Sequence, residues 1–350
     1  MKPFILSLCL MLFLAACSQP TPPAQPVDVP AEGAQPQPTL IPDQLGTAED
    51  LLPAPAEIET AQAVLGQHGF IGIVTCTMNT EYHATVANSA KARADALGLK
   101  AAIFDGAVQA EKQVSAIKNF VAKGARVIVL CALDPQVVEP AVKEAEAAGV
   151  LFVQIAGAAL PVKGISIGGE ADSNADLGCA AGEIAGDLIA KEKAGRATVA
   201  ILDYPDLPEI IIRADNIEKC MLAKAPQATV VGRFLGGTTE NGLKSMITAL
   251  EQYPAIDVVV SINDAGAYGA LTALQAANKD PQTTMIVGID AEARAKDLIK
   301  AGTYYRGTVD TSPAKAGEIV INAAVKLLAS ATVPQTIRIP VTKITPENLP

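Results

Sequence analysis

The chain has 350 residues, half of them hydrophobic, and 27 Lys and Arg against 37 Asp and Glu leave a formal net charge of -10. That balance argues against nucleic acid or an anionic lipid surface as partner, because both are held through basic side chains. The composition is rich in Ala, Val, Ile and Gly and has no Trp, which suits parallel sheets buried on both faces by helices, and the length exceeds one comfortable core.

The first element is Lys2, an apolar run from Phe4 to Leu14, and the small residues Ala15 and Ala16 before Cys17. A positive start, an apolar stretch too short to span a bilayer and small residues at a cleavage point read as a secretory signal over residues 1–16. Leu14-Ala15-Ala16-Cys17 resembles the lipobox of bacterial lipoproteins. The resemblance implies that Cys17 becomes a lipidated N-terminus and that the rest is extracytoplasmic, at the bacterial cell membrane in the periplasm or on the cell surface. No second long apolar run follows, so the membrane is met through the anchor only. Residues 17–58, dominated by Pro, Gln, Ala and Thr, read as a tether with too little apolar surface to order itself.

Beyond it, short β-branched runs alternate with longer amphipathic segments. Strands are expected at Ile71–Val74, Ala101–Phe104, Val127–Leu130, Leu151–Ile155 and Ile165–Ile167, then at Thr198–Leu202, Thr229–Phe234, Val258–Ile262, Met285–Ile289 and Tyr305–Val309. Helices are expected at Thr85–Leu97, Ala110–Lys123, Gln136–Ala147, Leu177–Lys193 and Ala265–Ala276. Two successive βαβ series define an α/β chain with two doubly wound, Rossmann-like parallel-sheet lobes, whose ligands bind beyond the carboxyl ends of the strands.

Of six cysteines, Cys9 leaves with the signal and Cys17 takes the lipid, which leaves Cys76, Cys131, Cys179 and Cys220 as disulfide candidates. Cys76 and Cys131 end two apolar runs expected to be neighbouring strands, so joining them is the most economical of the three pairings; buried free thiols are the alternative. No metal or other cofactor is expected, since C-x-x-C does not occur and there are only two histidines.

Several ordered blocks, from about Phe70 to the C-terminus, resemble a type I periplasmic binding protein of the ribose-type, sugar-binding branch of ABC transporter receptors. Asn79-Thr80-Glu81-Tyr82-His83 follows the first strand, where the family places an Asn and aromatics on the ligand. Arg213 sits where the family has R-x-x-G-F, and its fork of donors fits two hydroxyls or a carboxylate. Asn263-Asp264 matches N-D before A-L, Asp290 matches G-x-D, and Asp310 lies at a crossover where the family often has Gln. The resemblance implies ligand contacts from Asn79, Tyr82, His83, Arg213, Asn263, Asp290 and Asp310. Residue by residue, the alternatives are a helix-face pair of Arg213 with Asp215 or Glu218, helix caps at Asn263 and Asp290, and exposed loop side chains at Tyr82 and His83.

The implied lobes are residues 68–168 plus 311–334 and residues 169–310 plus 335–350, joined by a three-segment hinge. The implied function is a monomeric, non-enzymatic receptor that captures a small polar solute, a sugar first of all, by hinge closure and delivers it to an ABC permease. A sensing module for a chemoreceptor or sensor kinase is the alternative. In two places the chain departs from the family. Gln154-Ile155-Ala156-Gly157-Ala158 stands where ribose-type receptors carry Asp-Arg, and stacking falls to Tyr82, Tyr204 and Phe152 because Trp is absent, which leaves a polyol or nucleoside open as ligand. Gly164-Ile165-Ser166-Ile167-Gly168 satisfies the G-x-S-x-G of hydrolases, yet His68 and His83 both precede Ser166 and the isoleucines alternate as in a strand. Glu170, Asp172 and Asp176 lack the oxygen spacing of a calcium loop and read as helix-capping carboxylates.

Overall fold

The computed structural model describes residues 37–157, 160–168 and 171–349. The signal segment, Cys17, the first part of the tether, Ala158 and Glu170 lie outside the described residues. The first stretch runs β1 (Thr39–Gly46), α1 (Pro55–Leu65), β2 (Phe70–Thr75), α2 (Glu81–Ala96), β3 (Ala101–Asp105), α3 (Ala110–Ala122), β4 (Ala125–Ala132), α4 (Pro135–Ala147), β5 (Leu151–Gly157) and β6 (Gly164–Ile167). The second runs α5 (Ala171–Glu192), β7 (Thr198–Asp203), α6 (Pro208–Lys224), β8 (Thr229–Leu235), α7 (Thr239–Gln252), β9 (Val258–Ser261), α8 (Asp264–Ala276), β10 (Met285–Val287), α9 (Ala293–Ala301) and β11 (Tyr305–Asp310). The end of the chain adds α10 (Pro313–Leu328), β12 (Thr332–Ile337) and β13 (Thr342–Ile344).

The strands form two sheets, each the centre of a lobe: a seven-stranded one in the order β1-β12-β6-β5-β4-β2-β3 and a six-stranded one in the order β13-β11-β10-β9-β7-β8. All pairs are parallel except β11 with β13. The chain passes between lobes three times, after β6, after β11 and between β12 and β13.

Period-two alternation within continuous apolar runs explains how helices cover both sheet faces. Ile71, Ile73, Val127 and Val129 pack under α2 and α10, while Val74, Ile128 and Leu130 pack under α3 and α4. In the second lobe Val199, Ile201, Val258 and Val260 face α5 and α6, and Ala200, Leu202 and Val259 face α7 and α8. The α5–α6 contact is backbone to backbone. A β-carbon on Gly178 or Gly182 would overlap the carbonyl oxygen of Arg213 or Ile217, so these glycines fix how close the Arg213 helix lies. A disulfide between Cys179 and Cys220, Cα atoms 5.1 Å apart, ties the same two helices. A second, Cys76–Cys131 at 5.2 Å, joins the ends of β2 and β4.

One boundary differs from the sequence reading. Residues 39–58, read there as tether, belong to the first lobe: β1 pairs with β12 from Thr39↔Thr332 to Gly46↔Ile337, Leu51 is fully buried, and Pro55 starts α1 where its missing N–H costs nothing. Glu57 on α1 meets Lys326 on α10 at 2.7 Å. Pro42 is tolerated because β1 is an edge strand, so proline content did not bar folding. At the other end the first lobe's sheet extends through Ile337 rather than ending at 334.

Candidate ligand-binding site

Beyond the carboxyl ends of both sheets, between the lobes, lies a cavity of about 140 Å³. Thr80, Tyr82 and His83 line it from the first lobe, Arg213 and Asp290 from the second, and Thr311 from a crossover.

Arg213 sits on the α6 face that packs on α5, and its guanidinium is already oriented. Nε and Nη2 donate to Asn174 Oδ1 at 3.0 and 2.7 Å, and Nη1 donates to the Ile262 carbonyl at 2.9 Å. One hydrogen on each terminal nitrogen remains for the cleft. Burial lowers its proton affinity while the charges of Asp290 and the Tyr82 oxygen raise it, and guanidinium stays a cation throughout. Asp215 and Glu218, the alternative partners, are taken by Arg233 at 2.6 and 2.9 Å.

Asp290 follows β10 on a strained turn in which it and Ala291 have φ of 121° and 52°. Three successive amides pin that turn: Asp290 N donates to the Val309 carbonyl at 2.8 Å, Ala291 N to Thr308 Oγ1 at 3.2 Å, and Glu292 N to Asp264 Oδ2 at 3.0 Å. Burial, then the Asp264 charge, push the Asp290 carboxyl well above the usual range, with Arg213 opposing. Asn263 lines the cavity, but both ends of its amide serve the fold: Oδ1 accepts from Gly266 N at 2.9 Å and Nδ2 donates to the Gly237 carbonyl at 2.8 Å. It is the α8 cap, as its alternative reading had it.

In the first lobe Thr80 caps α2, and its hydroxyl lies 2.7 Å from His83 Nδ1. Burial and Arg213 push His83 down to about 4, so it is neutral at ordinary pH. Burial, then Asp290, push the Tyr82 phenol up. His83 and the sulfurs of Cys76 and Cys131 lie within 4.8 Å, but sulfurs bonded to each other offer no thiolate to a metal.

Two expected contacts are displaced by one residue. Asn79 is exposed and off the cavity lining, where Thr80 takes its place; Asp310 accepts from Ser312 N at 2.6 Å while Thr311 lines the cleft. Of the stacking candidates Tyr204 lines the cavity, whereas Phe152 is fully buried in the first lobe. Gln154 also turns away, closing its own loop through the Leu160 amide and carbonyl. Ser166 is inside β6, paired with Gln154 and Thr336, and not on a nucleophile turn. Asp176 lies 3.9 Å from Arg338 on the third crossover.

The lobes are joined across the cleft by a reciprocal pair of bonds that sequence reading missed. Glu292, the residue before α9, accepts from the Tyr82 amide in the first turn of α2 at 3.0 Å, and Glu81 of α2 accepts from the Ala293 amide of α9 at 2.7 Å. Each carboxylate occupies the other helix's positive end. Behind Glu292 stands buried Asp264, which accepts from Tyr305 Oη at 2.5 Å, Thr308 Oγ1 at 2.9 Å and the Glu292 amide.

Two α/β lobes, three crossovers and a cleft with polar groups from both sides define a two-lobed solute-binding protein. The chain belongs to the periplasmic binding protein family, whose description, Periplasmic binding protein domain, matches residues 71–332. Membership makes it a binding receptor and not a catalyst. It is 26% identical over 264 residues to the ribose import binding protein of Escherichia coli, covering 74% of this chain and 84% of that one. It is 26% identical over 286 residues to the D-apiose import binding protein of Paraburkholderia graminis, covering 78% and 84%. In fold it resembles the Caulobacter myo-inositol binding protein, with a TM-score of 0.71 at 22% identity over 81% of this chain and 95% of that one.

Proposed function

We propose that the protein is the lipid-anchored, extracytoplasmic receptor of an ABC importer and captures a sugar between its lobes. The observation that carries this is the convergence of Arg213 and Asp290 from one lobe on Tyr82 and Thr80 of the other, in a chain whose relatives are named for ribose and apiose import. Arg213 offers two remaining donors and Asp290 a carboxyl, a set suited to neighbouring hydroxyls on one ring edge. Sugar held by one lobe gains contacts only when the other closes, so it shifts an open–closed equilibrium, and the permease reads the closed form. Cys17 and the residues before β1 keep the head near that partner.

Thermal melts against sugars, polyols, nucleosides and amino acids test the reading. A ligand at a hundred times its dissociation constant adds about 2.7 kcal/mol, which raises the midpoint by several degrees. The sugars should include the compound that does so, and Arg213→Ala should abolish the shift. A panel in which only non-sugars move the midpoint overturns the sugar assignment.

A further inference from the structure

Resting on the sugar-receptor reading above, we infer that the ligand is a deoxy sugar, one that presents C–H or methyl groups where a common pentose or hexose presents some of its hydroxyls.

The first ground is that several of the cleft's polar side chains already hold bonds within the protein. Asn263 spends both ends of its amide on Gly237 and Gly266, and Asn174 spends its oxygen on Arg213. The Thr77 hydroxyl accepts from Asn79 N at 3.1 Å, the Thr238 hydroxyl from Asn241 N at 3.2 Å, and the Thr80 hydroxyl is engaged with His83. The Asp290 carboxyl, two hydrogens of Arg213 and the Thr311 hydroxyl, which is buried with no partner in the protein, can grip a ligand edge, beside the Tyr82 and Tyr204 phenols, the hydroxyl hydrogens that Thr77 and Thr238 keep and the His83 ring nitrogen not bonded to Thr80.

The second ground is what fills the remaining wall. Aliphatic side chains enter the cavity from every side: Val108 and Leu133 after β3 and β4, Leu207 and Ile210 at the start of α6, and Ile339 and Val341 from the third crossover. After β5 the cleft is met by Ala156, which has no polar atom beyond its backbone. A ring hydroxyl turned to these groups loses its water and finds no partner, whereas a methyl or methylene in that place is favoured by its own burial.

Calorimetric titration of the full-length protein in detergent against matched pairs tests this: D-galactose with D-fucose, D-glucose with D-quinovose, and D-ribose with 2-deoxy-D-ribose. In a pair that binds, the deoxy member should bind at least tenfold tighter, and Leu133→Asn and Ile210→Asn should each cut that preference by threefold or more. If the hydroxylated member binds as well or better in every pair that binds, the inference is overturned while the sugar-receptor reading stands. If no member of any pair binds but a non-sugar does, the sugar reading itself is overturned, and the inference goes with it.

Discussion

Glu292 and Tyr82 belong to different lobes, and the Glu292 carboxylate accepts the Tyr82 backbone hydrogen bond at 3.0 Å while Glu81 returns the same bond to Ala293. Tyr82 is also a cleft residue, so the bond between the lobes fixes a side chain that lines the cavity. Hydrogen bonds to a charged group contribute about 1.5–3 kcal/mol each, enough to bias a hinge equilibrium noticeably. Replacing both glutamates by alanine should therefore enlarge the radius of gyration of the ligand-free protein in small-angle scattering. Each single replacement should weaken ligand binding about tenfold, equivalent to about 1.4 kcal/mol. Unchanged scattering and affinity in the double variant would mean that the cleft closes without this pair.

Arg213 presents a fixed fork to the cavity and not only a charge. Its three bonds to Asn174 and Ile262 hold the guanidinium in one plane. Lysine in its place keeps the charge but has no planar fork. Arg213→Lys should lower ligand affinity about a hundredfold, close to 2.7 kcal/mol, by calorimetry. A lysine variant that binds as tightly as the native protein would reduce the role of Arg213 to its charge.

Asp264 should make stability fall with rising pH. Burial pushes its carboxyl from an ordinary value of 3.8 up to about 7, against the opposing hydrogen bonds from Tyr305, the Glu292 amide and Thr308. Between those values the folded protein holds a proton that the unfolded chain has released. The contribution is fully present below about pH 4 and is lost as pH rises toward 7. Urea midpoints at several pH values across that window should decline more steeply for the native protein than for Asp264→Asn, by up to about 1.4 kcal/mol per pH unit. Parallel declines would show that Asp264 ionises in the fold as it does in water.

The central strands were legible because buried parallel strands are continuous apolar runs, and Ile71–Val74 or Val127–Leu130 cannot be mistaken for a solvated face. The site was legible only to the level of the segment. A motif match says which loop reaches the cleft but not which of two successive residues points inward, and side-chain direction reverses at each step in extended chain. Hence Thr80 and Thr311 stand in the cleft where Asn79 and Asp310 were expected. The Glu81–Glu292 exchange left no local signal, since its partners lie 210 residues or more apart and meet only when the lobes are together. β1 and the residues after it were hidden for a different reason: averaged composition registers Pro42, Pro53 and Pro55 but not that Leu40 and Leu51 face a core.

That hidden segment yields a direct test of where the folded head begins. Leu51 is fully buried against the first lobe, and β1 supplies the edge next to β12. Leu51→Ala should cost about 2–5 kcal/mol of stability, the range for emptying a large aliphatic site in a core. A chain beginning at residue 59 would lose β1, Leu51 and the Glu57–Lys326 pair together, and should unfold at a clearly lower urea concentration than one beginning at residue 37. If the two unfold at the same midpoint, residues 37–58 rest on the lobe without stabilising it, and the tether does extend to Ile58.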